Sequence, residues 1–438
     1  MNTTYRQAWL ISLVAALGGL LFGFDIAIFS GTIPFIQPHF QLDAAALGWI
    51  ASSLYVGCMI GALITGWLTK RLGRKRPLIF AAVVFAVSSI MMGLAATSQS
   101  LIVWRILAGI GVGGASVLSP LYIAEVSPAA VRGRMVSINQ LAIVIGILLA
   151  YTSNYLLAPL EGNWRWMFGS GAVPATLFFL GVFFIPESPR WLIRKGHAAR
   201  GRKVLERLLP PGEVDREMML ISQQASNPVK SAPIQVLFAK GVLPLLVIGV
   251  TIAIFQQISG ANAVLFYAPI IFEKAGMSIS DQLFQQLLIG SVNLLFTLLA
   301  MQLVDRVGRK RLMLSGAGLM AFFLALIAYC FYQELFSGYL LSASVLAFIA
   351  TYAATLAPVT WVLISEIFPA KVRELAVAVS STMLWVACFA LTYAFPVIVD
   401  RFSTAQTFLL FACICAVYFV FLWRFVPETK GRSLDEAG

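Results

Sequence analysis

Charged residues are scarce in this sequence. Only 11% of its 438 residues are Asp, Glu, Lys or Arg, whereas a soluble domain carries about 25%. Histidine occurs twice and cysteine five times, with no metal-site spacing. We find no nucleophile–base pair and no phosphate-binding loop, and His39 and His197 lie outside the predicted apolar core. This composition excludes an ordinary soluble enzyme, and we expect no metal.

Acidic residues are also few, 19 against 31 basic residues, so the formal net charge is +12. In a soluble protein that excess would suggest a nucleic-acid partner. Here the basic residues cluster between apolar segments, where they set membrane topology instead. The first apolar run begins near Trp9 and is too long for a cleavable signal peptide. The five cysteines lie in apolar runs and are interpreted as small buried hydrophobic residues: Cys58, Cys330, Cys388, Cys413 and Cys415.

Long apolar runs dominate what remains, with 60% hydrophobic residues and a mean hydropathy of +0.87. A helix needs about 20 apolar residues to cross the hydrocarbon core of a bilayer. The sequence therefore predicts an all-α membrane protein with twelve transmembrane helices. Their approximate spans are 8–30, 46–68, 77–97, 100–124, 135–157, 165–185, 243–272, 283–304, 312–333, 338–364, 375–399 and 405–426.

The basic residues between these spans predict the orientation. They crowd into the loop after span two, the loop after span eight and the long loop 186–240, which alone holds ten. The opposite loops carry only Arg165, Lys274 and Arg401. The positive-inside rule then puts both termini and the long loop in the cytoplasm. The membrane that we expect, the plasma (bacterial inner) membrane, does not follow from this rule. Residues 196–224 are typical of short amphipathic helices within a surface linker.

The two halves of the sequence repeat. Arg71-Leu-Gly-Arg-Lys-Arg76 returns as Arg306-Val-Gly-Arg-Lys-Arg311, and Glu125-Val-Ser-Pro-Ala-Ala-Val-Arg132 returns as Glu366-Ile-Phe-Pro-Ala-Lys-Val-Arg373. Pro186-Glu-Ser-Pro returns as Pro427-Glu-Thr-Lys. We predict two six-helix bundles, 1–185 and 241–438, joined by the linker 186–240. A parallel repeat of this kind places a solute site at the interface of the halves, near the membrane midplane.

These motifs resemble those of sugar porters of the major facilitator superfamily, over nearly the whole chain. The most specific are Pro186-Glu-Ser-Pro-Arg-Trp-Leu192, Gln256-Gln-Ile-Ser-Gly-Ala-Asn262 and Pro427-Glu-Thr-Lys-Gly431. The resemblance implies the major facilitator fold with a cytoplasmic helical linker, and alternating access. It implies a monosaccharide such as D-glucose, D-galactose or D-xylose as solute. It implies no cofactor beyond a proton as coupling ion, and no obligatory protein partner.

Two charges fall well inside predicted spans, Asp25 in span one and Arg105 in span four. Placing either charge alone in the hydrocarbon core would cost at least about 2.5–3.5 kcal/mol of insertion free energy, so we expect the two to pair. A purely structural ion pair is one interpretation. The resemblance implies the other, a proton-coupling site. The position equivalent to Arg105 in the second half is Leu346, so the pair is not repeated.

Amides and aromatic residues inside the spans are candidates for binding solute. Amides suit sugars because each offers two donors and an acceptor, and aromatic rings can stack on the apolar face of a pyranose. By resemblance the set is Phe22, Gln140, Gln256, Gln257, Asn262, Asn293, Trp361 and Trp385. The alternatives are amides that join helices and tryptophans of an interfacial belt. Gly260 and Pro269 predict that span seven is broken.

Charged residues recur at the predicted cytoplasmic helix ends. The resemblance implies a cross-domain salt-bridge network that closes this side in the outward-facing state, although solvated helix ends are the alternative. Exposed pairs are each worth only about 0–1 kcal/mol. The six residues are Arg74, Glu125, Arg132, Arg309, Glu366 and Arg373.

The leading hypothesis is a proton–monosaccharide symporter. A sugar uniporter would not need the acid Asp25, and a sugar sensor would keep the site without transport. A drug–proton antiporter would line its cavity with aromatic residues rather than five amides. Two departures from the family affect the choice of sugar: Leu384 replaces an amide, and Phe266 replaces a tyrosine.

Overall fold

Apolar runs fold as helices in a bilayer because every backbone N–H and C=O there must find its hydrogen bond within the chain. The computed structural model describes residues 5–226, 234–336, 339–369 and 372–428. These described residues form α-helices and short 3₁₀ segments, with no β-strand among them. An all-α protein is therefore confirmed.

Seven helices precede the linker. They are α1 (Arg6–His39), α2 (Ala44–Leu72), α3 (Lys75–Gly93), α4 (Ser98–Val126), α5 (Arg132–Leu157), α6 (Asn163–Ser170) and α7 (Ala172–Phe184). The linker holds α8 (Pro189–Arg194), α9 (Ala198–Leu208) and α10 (Pro211–Ser226). Eight more helices follow it. They are α11 (Leu243–Ile258), α12 (Ala261–Lys274), α13 (Ile279–Val307), α14 (Arg309–Tyr332), α15 (Leu340–Ala354), α16 (Leu356–Glu366), α17 (Arg373–Arg401) and α18 (Thr404–Phe425).

Twelve spans within the described residues are long and apolar enough to cross a membrane, as the sequence predicts. Three of them consist of two helices each: α6 with α7, α11 with α12, and α15 with α16. The first span was placed too short. Helix α1 continues past residue 30 to His39, because Ser30 and Thr32 are buried in the protein rather than left in water.

Span seven breaks where Gly260 adopts a left-handed conformation, with φ of 89° and ψ of −10°. Glycine adopts such angles without a steric penalty, so the predicted break is confirmed. The carbonyl oxygen of Ser259 accepts a hydrogen bond from the Cys415 thiol of α18, at 3.4 Å. A second irregularity lies at Tyr267 (φ −121°, ψ 22°), two residues before Pro269.

Span ten breaks as well, at Thr355 (φ −127°, ψ −84°), which the sequence analysis did not predict. Pro358 explains the position, because it has no N–H to donate to the carbonyl of Ala354 in a continuous helix. At the break, the Thr355 hydroxyl donates to the carbonyl of Thr351 in the preceding turn, at 2.6 Å. A methyl group at Gly316 of α14 would overlap this hydroxyl, so α14 lies directly against the break.

Contacts divide the chain into two compact units. The first unit comprises residues 1–28, 53–150 and 165–230, and the second comprises 29–52, 151–164 and 231–438. The second unit thus contains short segments from the first half of the sequence. The division into domains at residues 185 and 240 stays a prediction from the repeat.

The linker helices form a small core of their own within the first unit. Ile193 of α8, Leu205 of α9, and Val214 and Ile221 of α10 are buried together. Two ion pairs join the helices: Arg190 with Glu217 at 3.0 Å, and Arg202 with Asp215 at 2.8 Å. The predicted helical linker is confirmed; its residues 227–233 lie outside the described part of the chain.

A glutamate after each six-helix half caps the helix that follows a basic loop. Glu187 Oε1 accepts from the backbone N–H of Arg74 at 2.7 Å, and its Oε2 accepts from that of Lys75 at 3.2 Å. Gly73 has a φ of 86°, and a methyl group there would overlap the Glu187 carboxylate. A carboxylate at a helix N-terminus is favoured by the free N–H groups and the helix dipole.

The second half repeats this cap. Glu428 Oε1 accepts from the backbone N–H of Arg309 at 3.0 Å, beside Gly308 with a φ of 101°. The lysine after each arginine also has a matching contact. Lys75 Nζ donates to the Phe183 carbonyl at 2.7 Å, and Lys310 Nζ donates to the Trp423 carbonyl at 3.0 Å. The shared sequence motifs of the two halves therefore specify one repeated structural element.

We predict that Glu187→Gln lowers the melting temperature of the protein in detergent. The change removes the charge from a half-buried group that accepts three hydrogen bonds, from the N–H groups of Arg74, Lys75 and Ser188, and we expect this loss to cost about 1–2 kcal/mol. Glu161→Gln, at an exposed carboxylate between α5 and α6, is the matched control and should leave the melting temperature unchanged. Equal melting temperatures for the two variants would contradict the cap.

Candidate functional site

The two intramembrane charges lie together in the first unit. Arg105 Nη2 of α4 is 3.9 Å from Asp25 Oδ2 of α1, and neither side chain has any exposed surface. Within the described residues, neither carboxylate oxygen of Asp25 has a hydrogen-bond partner. The acid is therefore held by charge attraction while both of its oxygens remain able to accept a proton.

Glycines allow the helices around this pair to approach closely. A methyl group at Gly18 of α1 would overlap the Ser119 hydroxyl of α4, and one at Gly23 would overlap the backbone carbonyl of Ile143 in α5. Small residues at such positions let membrane helices pack backbone against backbone. Asp25 lies two residues beyond Gly23, so its charge is enclosed by protein rather than by water or lipid.

Three of the predicted amides form one hydrogen-bonded cluster in the second unit. Gln257 Nε2 donates to Gln256 Oε1 at 3.0 Å, and Asn262 Nδ2 donates to Gln257 Oε1. Gln256 and Gln257 lie in the last turn of α11, while Asn262 lies in the first turn of α12, beyond the break at Gly260. The break brings Asn262 back to Gln257, which a regular helix would not do. We refer to these three residues as the amide cluster.

The other predicted solute-binding residues lie on separate helices. Asn293 is buried on α13, Trp385 is half-buried on α17, and Trp361 of α16 is 41% exposed. Phe22 and Gln140 belong to the first unit, half-buried on α1 and α5. Only Gln256, Gln257 and Asn262 are joined directly to one another by the described hydrogen bonds. The solute-binding role of the whole set stays a prediction.

Cys388 is a neighbour of the amide cluster that the sequence analysis missed. Asn262 Nδ2 also lies 3.5 Å from Cys388 Sγ on α17, as a donor to the sulfur. Leu384, which replaces the family amide, is buried one turn before Cys388 on the same face. No sequence signal distinguished this cysteine from the other buried ones.

The expectation that all five cysteines are buried was wrong for one of them. Cys413 is exposed, because it lies about 200° around α18 from buried Cys415.

The charged residues at the basic helix ends pair within each unit. In the first unit Arg74 binds Glu125 through two hydrogen bonds, of 2.8 and 2.6 Å. In the second unit Arg309 Nη2 lies 3.2 Å from Glu366 Oε1. These matching pairs follow the sequence repeat.

The remaining two arginines of the predicted gate contact backbone. Arg132 Nη2 donates to the Ser127 carbonyl at 3.5 Å, and Arg373 Nε donates to the Phe368 carbonyl at 3.1 Å. Glu187 and Glu428 belong to the same two networks but were not predicted as gate residues. The repeat itself could have identified them, because it aligns them just as it aligns Glu125 with Glu366. The cross-domain salt-bridge network stays a prediction.

Twelve spans in two repeated sets of six, with an intramembrane ion pair and an amide cluster at a broken helix, define a membrane transporter of the major facilitator fold. The chain belongs to the sugar transporter family, described as "Sugar (and other) transporter", whose family profile matches residues 11–438. This membership agrees with the resemblance to sugar porters.

Relatives and solved structures match the chain over nearly its full length. The arabinose-proton symporter of Bacillus subtilis is 38% identical, covering 98% of this chain and 93% of the relative. The D-xylose-proton symporter of Escherichia coli is 36% identical, covering 100% and 96%. A solved inward open structure of the xylose transporter XylE from E. coli superposes with a TM-score of 0.87. It is 35% identical, covering 98% of this chain and 99% of that one.

Proposed function

We propose that this protein is a proton-coupled monosaccharide symporter that works by alternating access. The observation that carries the proposal is the buried pair of Asp25 and Arg105, 3.9 Å apart, whose acid has no hydrogen-bond partner in the described part of the chain. The names of the relatives, which are proton symporters of arabinose and xylose, support it.

The amide cluster supplies the proposed contacts to sugar hydroxyls. Gln256, Gln257 and Asn262 now hydrogen-bond one another, so part of their polar capacity is already satisfied and their side chains are ordered before solute arrives. A sugar hydroxyl exchanges one such bond for another at little net cost. By resemblance, Asn293, Trp361 and Trp385 of the second unit, and Phe22 and Gln140 of the first, contact the same sugar.

Proton coupling follows from the charge of Asp25. Protonation neutralises the acid and removes its attraction to Arg105, so conformations that separate α1 from α4 at this point become accessible. A conformational equilibrium that depends on proton binding is shifted by a proton gradient. One pH unit supplies about 1.4 kcal/mol, and 100 mV supplies about 2.3 kcal/mol. Together they could support roughly several-hundredfold accumulation of sugar.

We further propose that both termini and the linker lie in the cytoplasm of a bacterial cell. The argument is the positive-inside rule applied to the loops after spans two and eight. In that orientation the Glu187 and Glu428 caps and the pairs Arg74–Glu125 and Arg309–Glu366 are at cytoplasmic helix ends. Opening and closing of the transporter on the cytoplasmic side then rearranges these charged residues, which already pair within each half of the chain.

We predict that Asp25→Asn abolishes uphill sugar uptake while sugar exchange across the membrane persists. Asparagine resembles the protonated acid in shape and charge but cannot release a proton. Uptake of labelled sugar is measured in energised vesicles with and without a protonophore, and exchange is measured in vesicles preloaded with sugar. Retained exchange also shows that the variant folds, since an uncompensated Arg105 costs about 3–5 kcal/mol.

Asp43→Asn is the matched control for this experiment. Asp43 is exposed and its Oδ1 caps α2 by accepting from the N–H of Ala46 at 2.7 Å, a role that asparagine fills equally well. It should accumulate sugar normally. Protonophore-sensitive accumulation by Asp25→Asn at the control's level would sink the symport mechanism. Wild-type uptake indifferent to a protonophore would indicate a uniporter.

We also predict that Gln257→Ala weakens sugar binding by about 1–3 kcal/mol, because sugar hydroxyls and Asn262 lose a shared partner. That corresponds to a Kd roughly five- to 150-fold higher, measured by calorimetry with the sugar that the wild type binds best. Gln282→Ala is the control: it removes another buried amide of the second unit, which donates to the Met277 carbonyl at 2.9 Å, and it should leave the Kd unchanged. If Gln257→Ala binds sugar as tightly as this control and the wild type, Gln257 is not part of the site.

A further inference from the structure

Polar contacts in the second unit join helices from opposite halves of the sequence. Gln286 Nε2 of α13 donates to Ser30 Oγ of α1 at 2.6 Å, and the Tyr151 hydroxyl of α5 donates to the Leu265 carbonyl of α12 at 2.7 Å. Ser30, Gln286 and Tyr151 have no exposed surface. Two buried hydrogen bonds therefore hold α1 and α5 against the two helices that carry Asn293 and Asn262.

The contact of Tyr151 follows from the sequence of span seven. In a regular helix the Leu265 carbonyl accepts from the N–H four residues later, but residue 269 is proline and has none. A buried backbone carbonyl left without a donor is costly, so native structures supply one. Here the donor is a side chain of another helix. When α12 separates from α5, this carbonyl must be hydrated instead.

The hydrogen bond of Gln286 also depends on a side chain from the other half of the sequence, Ser30 of α1. Gln286 is separated from Ser30 by 256 residues in the sequence, and its own Oε1 has no hydrogen-bond partner in the described residues. A buried amide with unused capacity loses little when it is transferred to water or solute. The Tyr155 ring, one turn after Tyr151, lies 6.2 Å from the ring of Phe284 on α13 and adds an apolar contact between the same halves.

We propose that Tyr151 and Gln286 form a latch, which stabilises the closed arrangement of α1 and α5 against α12 and α13 and must release during transport. This inference rests on the alternating access proposed above, in which the two halves separate at one face and then at the other. Because a single hydrogen bond contributes modestly, each latch bond biases the equilibrium toward the closed arrangement by roughly twofold to tenfold.

The test removes one hydroxyl from the latch and one from elsewhere. Tyr151→Phe deletes only the donor to Leu265. Tyr122→Phe is the matched control, because the Tyr122 hydroxyl also donates to a backbone carbonyl, that of Pro186, at 2.7 Å, and Tyr122 is also fully buried. Both partners of that bond belong to the first unit and to the first half of the sequence.

Opening is measured by labelling of a cysteine reporter placed in the latch, Ser30→Cys, with N-ethylmaleimide in detergent solution. The chain without the reporter gives the background from the native cysteines. We expect Tyr151→Phe to raise the labelling rate of the reporter roughly twofold to tenfold, and Tyr122→Phe to leave it unchanged. If Tyr151→Phe does not fold, Gln286→Leu with the reporter at Ile33→Cys tests the second bond in the same way.

Equal labelling rates in the latch variant, the control variant and the parent reporter chain would overturn the latch. The measurement uses neither sugar nor a proton gradient and does not depend on which side of the membrane is cytoplasmic. A wild type that shows no protonophore-sensitive sugar uptake but normal latch labelling would overturn the symport proposal alone. The two proposals therefore fail separately.

Discussion

Two opposite charges, those of Asp25 and Arg105, have no exposed surface and lie 3.9 Å apart, on helices α1 and α4, which approach closely where Gly18 of α1 meets the Ser119 side chain of α4. Removing one partner of such a pair is strongly unfavourable, because the other charge stays buried and uncompensated. Proton binding removes the charge of one partner without removing the side chain. The attraction between α1 and α4 thereby becomes dependent on the proton, and the proposed coupling of sugar movement to a gradient rests on this dependence.

The two irregularities of span seven share one feature. At each, a backbone carbonyl accepts a hydrogen bond from a side chain of another helix: Ser259 from Cys415, and Leu265 from Tyr151. Such bonds can be replaced by water when helices separate, whereas the backbone bonds of a regular helix remain. The amide cluster therefore lies on a span whose broken geometry is held by side chains of other helices. Such a span suits a site that must alternate between two arrangements.

Much of this fold could be predicted from the sequence. Apolar length predicted twelve spans, and the repeat predicted two related halves, whose shared Glu–Gly–Arg element is now visible at Gly73 and Gly308. Glycine and proline predicted the break at Gly260. The thiol beside Asn262 was missed because it depends on a contact between distant segments that periodicity does not encode. The break at Thr355 and the caps by Glu187 and Glu428 were missed although Pro358 and the repeat are visible in the sequence. The roles of Phe22 and Gln140 still rest on resemblance.

The central claim is that sugar and proton cross the membrane together. It is tested most directly with a pH electrode in a lightly buffered, de-energised suspension of cells that express the wild-type protein, to which a transported sugar is added. The account predicts an immediate rise in the pH of the medium as protons enter with the sugar, and its loss when a protonophore is present. Uptake of labelled sugar by the same cells without any change in pH would contradict it.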